Sequence, residues 1–165
     1  MEILDYNKET VEELIKRSQA DINSVLTTVS DILNDVRENK DNAVKAYTAK
    51  FDKAELDDLK VSEEEIKKAY DELDGELIKA LESASSNIEK FHKAQIPEEW
   101  EMEVIPGITA GQIIRPINSV GCYIPGGRAV YPSTILMTVI PAKIAGVDRI
   151  IACSPPGPDG KIQAA

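Results

Sequence analysis

At 165 residues the chain has room for one domain, or one and part of a second, and its 42% hydrophobic content is enough to build a core. A net charge of −10 argues against nucleic acid, which is bound through basic surface, and two cysteines make no disulfide framework. No run approaches the ~20 apolar residues that span a bilayer. The charge is unevenly placed: residues 1–100 hold 25 acids and 14 Lys or Arg, net −11, whereas residues 101–165 hold 4 acids and 5 bases, net +1. That asymmetry divides the chain into a solvated helical region, 1–98, and a more apolar α/β region, 99–165. The opening residues, Met1 to Leu14, are acidic and lack the apolar stretch of a secretory signal, so the expected location is the cytoplasm.

In the helical region, Lys8 to Gln19 suits a short helix with Val11, Leu14 and Ile15 on one face. Asp21 or Asn23 is placed to cap a second helix carrying Ile22, Val25, Val29, Ile32, Leu33 and Val36, which ends near Asn39. Asp41 is placed to cap a third, through Phe51, with Ala43, Val44 and Tyr47 inward. Asp52 to Lys60 is a polar connection. Ser62 and Glu65 form an S-x-x-E capping box, followed by Ile66, Ala69, Tyr70 and Leu73 on one face. Asp74-Gly75 interrupts, and a longer helix runs from Glu76 to about Ala94 with Leu77, Leu81, Ala84, Ile88 and Phe91 as its stripe. These stripes read as ordinary helical core, with a partner-binding groove or a dimer seam as the alternative. Glu63, Glu64 and Glu65 read as a solvated helix N-terminus, and His92, the only histidine, as a helix-end packing residue. Without a second histidine it belongs to no paired-histidine zinc motif.

The α/β region opens with alternation from Glu101 to Ile105, a Pro106-Gly107 turn and a β-prone Ile108 to Ile114: a β-hairpin. Ser119 to Ile124 is a short apolar strand, broken by Pro125-Gly126-Gly127. From Ser133 the spacing becomes helical through Ile135, Leu136, Val139, Ala142 and Ile144, with Gly146 as a stop. Arg149 to Cys153 is a second apolar strand, closed by Ser154-Pro155-Pro156. Cys122 and Cys153, one in each strand, read as small buried hydrophobes. After Pro158-Asp159-Gly160, Lys161 to Ala165 reads as the first turn of another helix, cut short. The fold class is therefore α/β: an N-terminal helical region, a β-hairpin, then an incomplete Rossmann-like βαβ unit.

In such units ligands bind at the carboxyl ends of the strands, beside the first βα turn, which makes Tyr123 to Arg128 the candidate edge. Spacing alone says little more. Gly121, Gly126 and Gly127 do not fit G-x-G-x-x-G, and no G-K-[ST] follows them. On spacing, Pro-Gly-Gly is a tight turn and Tyr123 a core tyrosine with a satisfied hydroxyl.

The literal string from Val120 to Val147, V-G-C-Y-I-P-G-G-R-A-V-Y-P-S-T-I-L-M-T-V-I-P-A-K-I-A-G-V, closely resembles the signature of the histidinol dehydrogenase family. The likeness extends through A-x-x-x-Y-T-x-K-F-D (Ala43 to Asp52), N-I-E-K-F-H-K-A-Q (Asn87 to Gln95) and G-Q-I-I-R-P-I (Gly111 to Ile117), in the family's order. There are departures: Lys40-Asp41 stands where the family usually has Gly-Asp, Cys122 where it often has Leu, and Arg128 where it usually has a small residue.

The resemblance implies an oxidoreductase that converts L-histidinol to L-histidine in two NAD-dependent steps at a zinc site, in a homodimer whose sites draw on both subunits. It implies that Tyr123 contacts NAD, with Gly126 and Gly127 as secondary cofactor contacts through their backbone. The zinc ligands and acid/base groups are expected outside this chain, so it names no catalytic residue and no metal ligand here. By this reading the chain is the N-terminal portion of the enzyme and inactive by itself. The alternative is a non-catalytic binding or assembly module that retains the fold.

Overall fold

The computed structural model describes residues 25–126 and 131–165, and the chain divides into two compact units between Tyr47 and Thr48. The helix expected over Lys8 to Gln19 and the caps expected at Asp21 or Asn23 lie outside the described residues, as do Gly127 and Arg128.

Helix α1 covers 25–39 of the described residues, in the first unit, and α2, Asp41–Phe51, begins after Lys40 and runs across the boundary between Tyr47 and Thr48. Lys40 separates them at φ 51, in the left-handed region that residues with a Cβ seldom adopt. Its N–H donates to the Val36 carbonyl (2.9 Å), and its carbonyl accepts from Val44 N–H (3.2 Å). Lys40 therefore takes the capping position expected of Asp41, which is instead the first residue of α2 and favours its positive end. The junction is tied by Asp35. Asn39 Nδ2 donates to it (2.7 Å) and so does the Tyr47 hydroxyl. These two bonds hold the Asp35 carboxyl below its ordinary range, and the same carboxylate raises the Tyr47 hydroxyl above its own.

In the second unit, α3 (Glu63–Glu72) opens on the expected capping box. Ser62 Oγ accepts from Glu65 N–H (3.2 Å), and Glu65 Oε2 accepts from Ser62 N–H (2.8 Å). Asp74 caps α4 (Gly75–Lys93) through Glu76 N–H (3.1 Å), and Lys90, His92 and Lys93 fill its last turn, where the helix dipole favours cations. The hairpin β1 (Trp100–Ile105) and β2 (Ile108–Gln112) turns at Gly107, φ 85, and is clamped at its stem by Glu99. That carboxylate accepts from Ile114 N–H (2.9 Å) and Arg115 Nη1, which lowers its pKa.

Strands β3 (Ser119–Tyr123) and β4 (Arg149–Cys153) pair in parallel, joined by α5 (Pro132–Ile144), which packs on both strands and on α4. Gly146, φ 84, ends the helix as expected.

Three expectations are overturned. Lys161 to Ala165 is not helical. Gly157 N–H donates to the Lys161 carbonyl (2.8 Å) and Gly160 N–H to the Gly157 carbonyl (2.9 Å), which closes a local loop instead. Cys153 is exposed, whereas Cys122 is buried as expected. The helical stripes are also not buried: Leu33, Ile66, Leu77 and Phe91 are all exposed, and neither α3 nor α4 holds a buried residue. Periodicity identifies which face is apolar, not whether anything covers it. Among the described residues the buried apolar side chains are Ala43, Ala54 and Cys122.

Candidate functional site

The parallel register sets Cys122 opposite Ala152 and Tyr123 opposite Cys153, so the two strands end side by side. Ile124 N–H extends the ladder to the Cys153 carbonyl (2.8 Å) before both strands turn away. Successive side chains of a strand face opposite ways. Cys122 is accordingly buried, 4% exposed, and Tyr123 is open, at 63%. Within this chain the Tyr123 ring is not part of the core; it is exposed at the carboxyl end of the sheet.

Gly126 is half-buried, and it approaches the turn that follows β4. A Cβ there would stand 3.1 Å from Pro155 Cγ and 3.3 Å from both the Pro155 carbonyl oxygen and Ser154 Oγ. A side chain at Gly126 would press on the turn after β4, which would have to give by a few tenths of an ångström. The structure thus brings Tyr123 and Gly126 to one strand-end edge together with Ser154. Spacing did not single out Ser154; its position immediately after the second strand was the available signal. Gly127 lies outside the described residues. Helix α5 opens with Pro132 in its first turn and has no side-chain cap from Tyr131.

This edge is separate from an open groove of about 700 Å³ between α3, α4, the start of α5 and the tail, lined by Ile66, Leu73, Leu81, Ile135 and Ile162 among others. Neither Tyr123 nor Ser154 lines it.

A family model of histidinol dehydrogenase matches residues 15–165 of the chain. The chain belongs to the histidinol dehydrogenase family. It is 51% identical to the histidinol dehydrogenase of Methanothermobacter thermautotrophicus over 98% of its own length and 38% of the relative's. Against that of Methanocaldococcus jannaschii the identity is 49%, over 96% of this chain and 37% of the relative. The crystal structure of histidinol dehydrogenase from Elizabethkingia anophelis superposes with a TM-score of 0.82 at 42% identity, covering 85% of this chain and 32% of that one. The chain therefore spans about a third of the length of these histidinol dehydrogenases, and the α/β architecture is that of the corresponding part.

Proposed function

We propose that this chain is the N-terminal portion of a histidinol dehydrogenase, an oxidoreductase that takes L-histidinol to L-histidine in two NAD-dependent hydride transfers. The reading divides the chain into a helical region, 1–98, and the hairpin with the first part of the nucleotide-binding domain, 99–165. Within it, Tyr123 seats NAD, its ring against the dinucleotide and its hydroxyl available to a phosphate or ribose oxygen. Gly126 and Gly127 let the backbone approach. NAD, when bound, accepts the hydride; the part of this chain is to hold it in position.

The single observation that carries the reading is the family match over residues 15–165, and the open Tyr123 ring beside a strand-end turn is the local support for it. The fit to zinc is different. Among the described residues no three His, Cys, Asp or Glu side chains gather as a metal site. The ring of His92 lies edge-on to Phe91, 5.4 Å between centroids, at the end of α4. The described residues offer zinc no ligand set; the reading places its ligands and the acid/base groups in other parts of the enzyme.

The chain alone is therefore incomplete. The exposed apolar row Trp100, Met102 and Val104 on β1, and Ile135 and Met137 on the largely apolar α5, are the kind of surface that further polypeptide covers. Its expected setting is a homodimer in the cytoplasm. No described helix is long and apolar enough to cross a membrane.

The test is histidinol-dependent NADH formation. The full-length enzyme is expected to form NADH and the 165-residue chain to form none. Activity of the isolated chain would overturn its incompleteness; an inactive full-length enzyme would favour the non-catalytic module.

A further inference from the structure

Helix α3 is 10 residues long, and helices shorter than about 12–15 residues are marginal in water when nothing packs on them. No other helix or strand of the second unit packs closely against it. The capping box fixes where α3 starts, but its apolar face is left open: Ile66 is 51% exposed and Tyr70 65%. That face, continued by Leu73, lines the open groove of about 700 Å³ together with Leu81 of α4, Ile135 of α5 and Ile162 of the tail. A short helix with such a face needs a cover to persist.

Three features of the molecule point to what covers it. The chain itself enters the groove: Lys161 to Ala165 belongs to the lining, so polypeptide continuing from Ala165 starts inside it. The wall and the tail are of opposite charge. The groove's α3 and α4 residues include Glu64, Glu65, Glu72 and Glu82 against Lys68, and Lys161 of the tail attracts the Glu65 carboxylate. There is also polypeptide to place, since the chain spans only 38% of the length of a histidinol dehydrogenase. A segment tethered beside its site meets it at an effective concentration on the order of millimolar, which a separate molecule has to match. At 1.5 Å per residue α3 is about 15 Å long, so about ten helical residues, or about five extended ones, run its length.

We propose that in the full-length enzyme this groove is filled by the segment that directly follows Ala165, which lays an apolar face on Ile66, Tyr70, Leu73 and Ile135 and draws α3 into the core. The inference rests on the reading of the chain as the N-terminal portion of a longer enzyme. It adds which part of the remaining polypeptide returns here. A second copy of the chain and a separate partner are the competing occupants.

The experiment is photo-crosslinking in the full-length enzyme, with Tyr70 or Lys67 replaced by the photoreactive p-benzoylphenylalanine. Tyr70 lines the groove; Lys67 is exposed on the same helix and does not. The enzyme is prepared from a mixture of isotopically light and heavy chains, so that a bond within one chain is told from a bond between two. The Tyr70 position is expected to join a peptide within about ten residues of Ala165, never light to heavy, and the Lys67 position is not. A light-to-heavy bond makes a second copy the occupant, and a bond to a more distant segment makes that segment the occupant; either overturns the proposal. So does the absence of any crosslinked peptide at Tyr70. Amide exchange of α3 in Ile66→Ser is an independent readout, because isoleucine and serine have similar helix propensities. Under a cover, losing the buried isoleucine should speed that exchange at least about tenfold. A change of about twofold or less, as at an open surface, overturns the proposal. Histidinol-dependent NADH formation is measured alongside. An active enzyme without the crosslink strikes this inference alone, and the expected crosslink in an inactive wild-type enzyme strikes the catalytic reading alone.

Discussion

Lys40, between α1 and α2, has a φ of 51, in the left-handed region. A side chain bearing a Cβ costs roughly 1–2 kcal/mol in the left-handed region. Replacing Lys40 by glycine removes that cost. It also widens the unfolded ensemble, which offsets about 0.4–1 kcal/mol, and it forgoes a cation at the C-terminal end of α1, about 0.3–1 kcal/mol. Lys40→Gly alone is thus a near-balance. The informative comparison is with Lys40→Ala, which retains the strain and also loses the cation. Glycine should be more stable than alanine at this position by roughly 1 kcal/mol, a factor of about 5 in the local opening equilibrium. The assay is amide hydrogen exchange in the full-length enzyme, read at Val44, whose N–H bonds to the Lys40 carbonyl at 3.2 Å. The expected order of protection is glycine above alanine. Equal protection, or alanine above glycine, would refute the claim that a left-handed residue joins α1 to α2.

Other expectations follow from local geometry. Ser62→Ala removes the side-chain acceptor for Glu65 N–H and should cost α3 about 1 kcal/mol, seen as faster exchange confined to its first turn. In the wild type, Glu65 is held below its ordinary pKa by the Ser62 backbone N–H first and the Ser62 hydroxyl second. Because the folded value is the lower one, the stabilisation is full above the ordinary carboxylate range and disappears as pH falls through the folded value. Protection factors at the start of α3, taken relative to the intrinsic exchange rate at each pH, should therefore fall on acidification, and less so in Glu65→Gln. Gly111→Ala would put a Cβ 2.9 Å from Glu101 Cα and closer still to the Trp100 carbonyl oxygen. The backbone of β1 must shift, at a cost of roughly 1–3 kcal/mol, and a changed emission from Trp100, the only tryptophan of the chain, would report it. An unchanged spectrum together with unchanged hairpin exchange would contradict that geometry.

Much of the fold was legible where a backbone rule has a chemical signature. The S-x-x-E box at Ser62, the Pro106-Gly107 turn and the Gly146 stop all specify local hydrogen bonding or a positive φ that neighbouring residues hardly alter. The same rules missed Lys40, because nothing in a lysine announces a left-handed backbone. They missed the tail because Lys161 to Ala165 has helical composition, whereas its hydrogen bonds are set by the preceding Gly157–Gly160 loop. Burial was the least legible property: Ile66 and Leu77 lie on apolar stripes, and both are exposed. The proposed site was legible in part: the strand and its glycine turn could be read from the residues, whereas Tyr123 and Gly126 were named as cofactor contacts by the family resemblance. Ser154 lies 28 positions beyond Gly126 in the sequence, and only the parallel register of β3 and β4 brings the two together.

The most direct measurement is a crystal structure of the full-length enzyme with NAD bound. The account expects the dinucleotide at the carboxyl ends of β3 and β4, with the Tyr123 ring in contact and the Gly126 turn beneath it. A dinucleotide lodged elsewhere, with Tyr123 touching no part of it, would contradict the account.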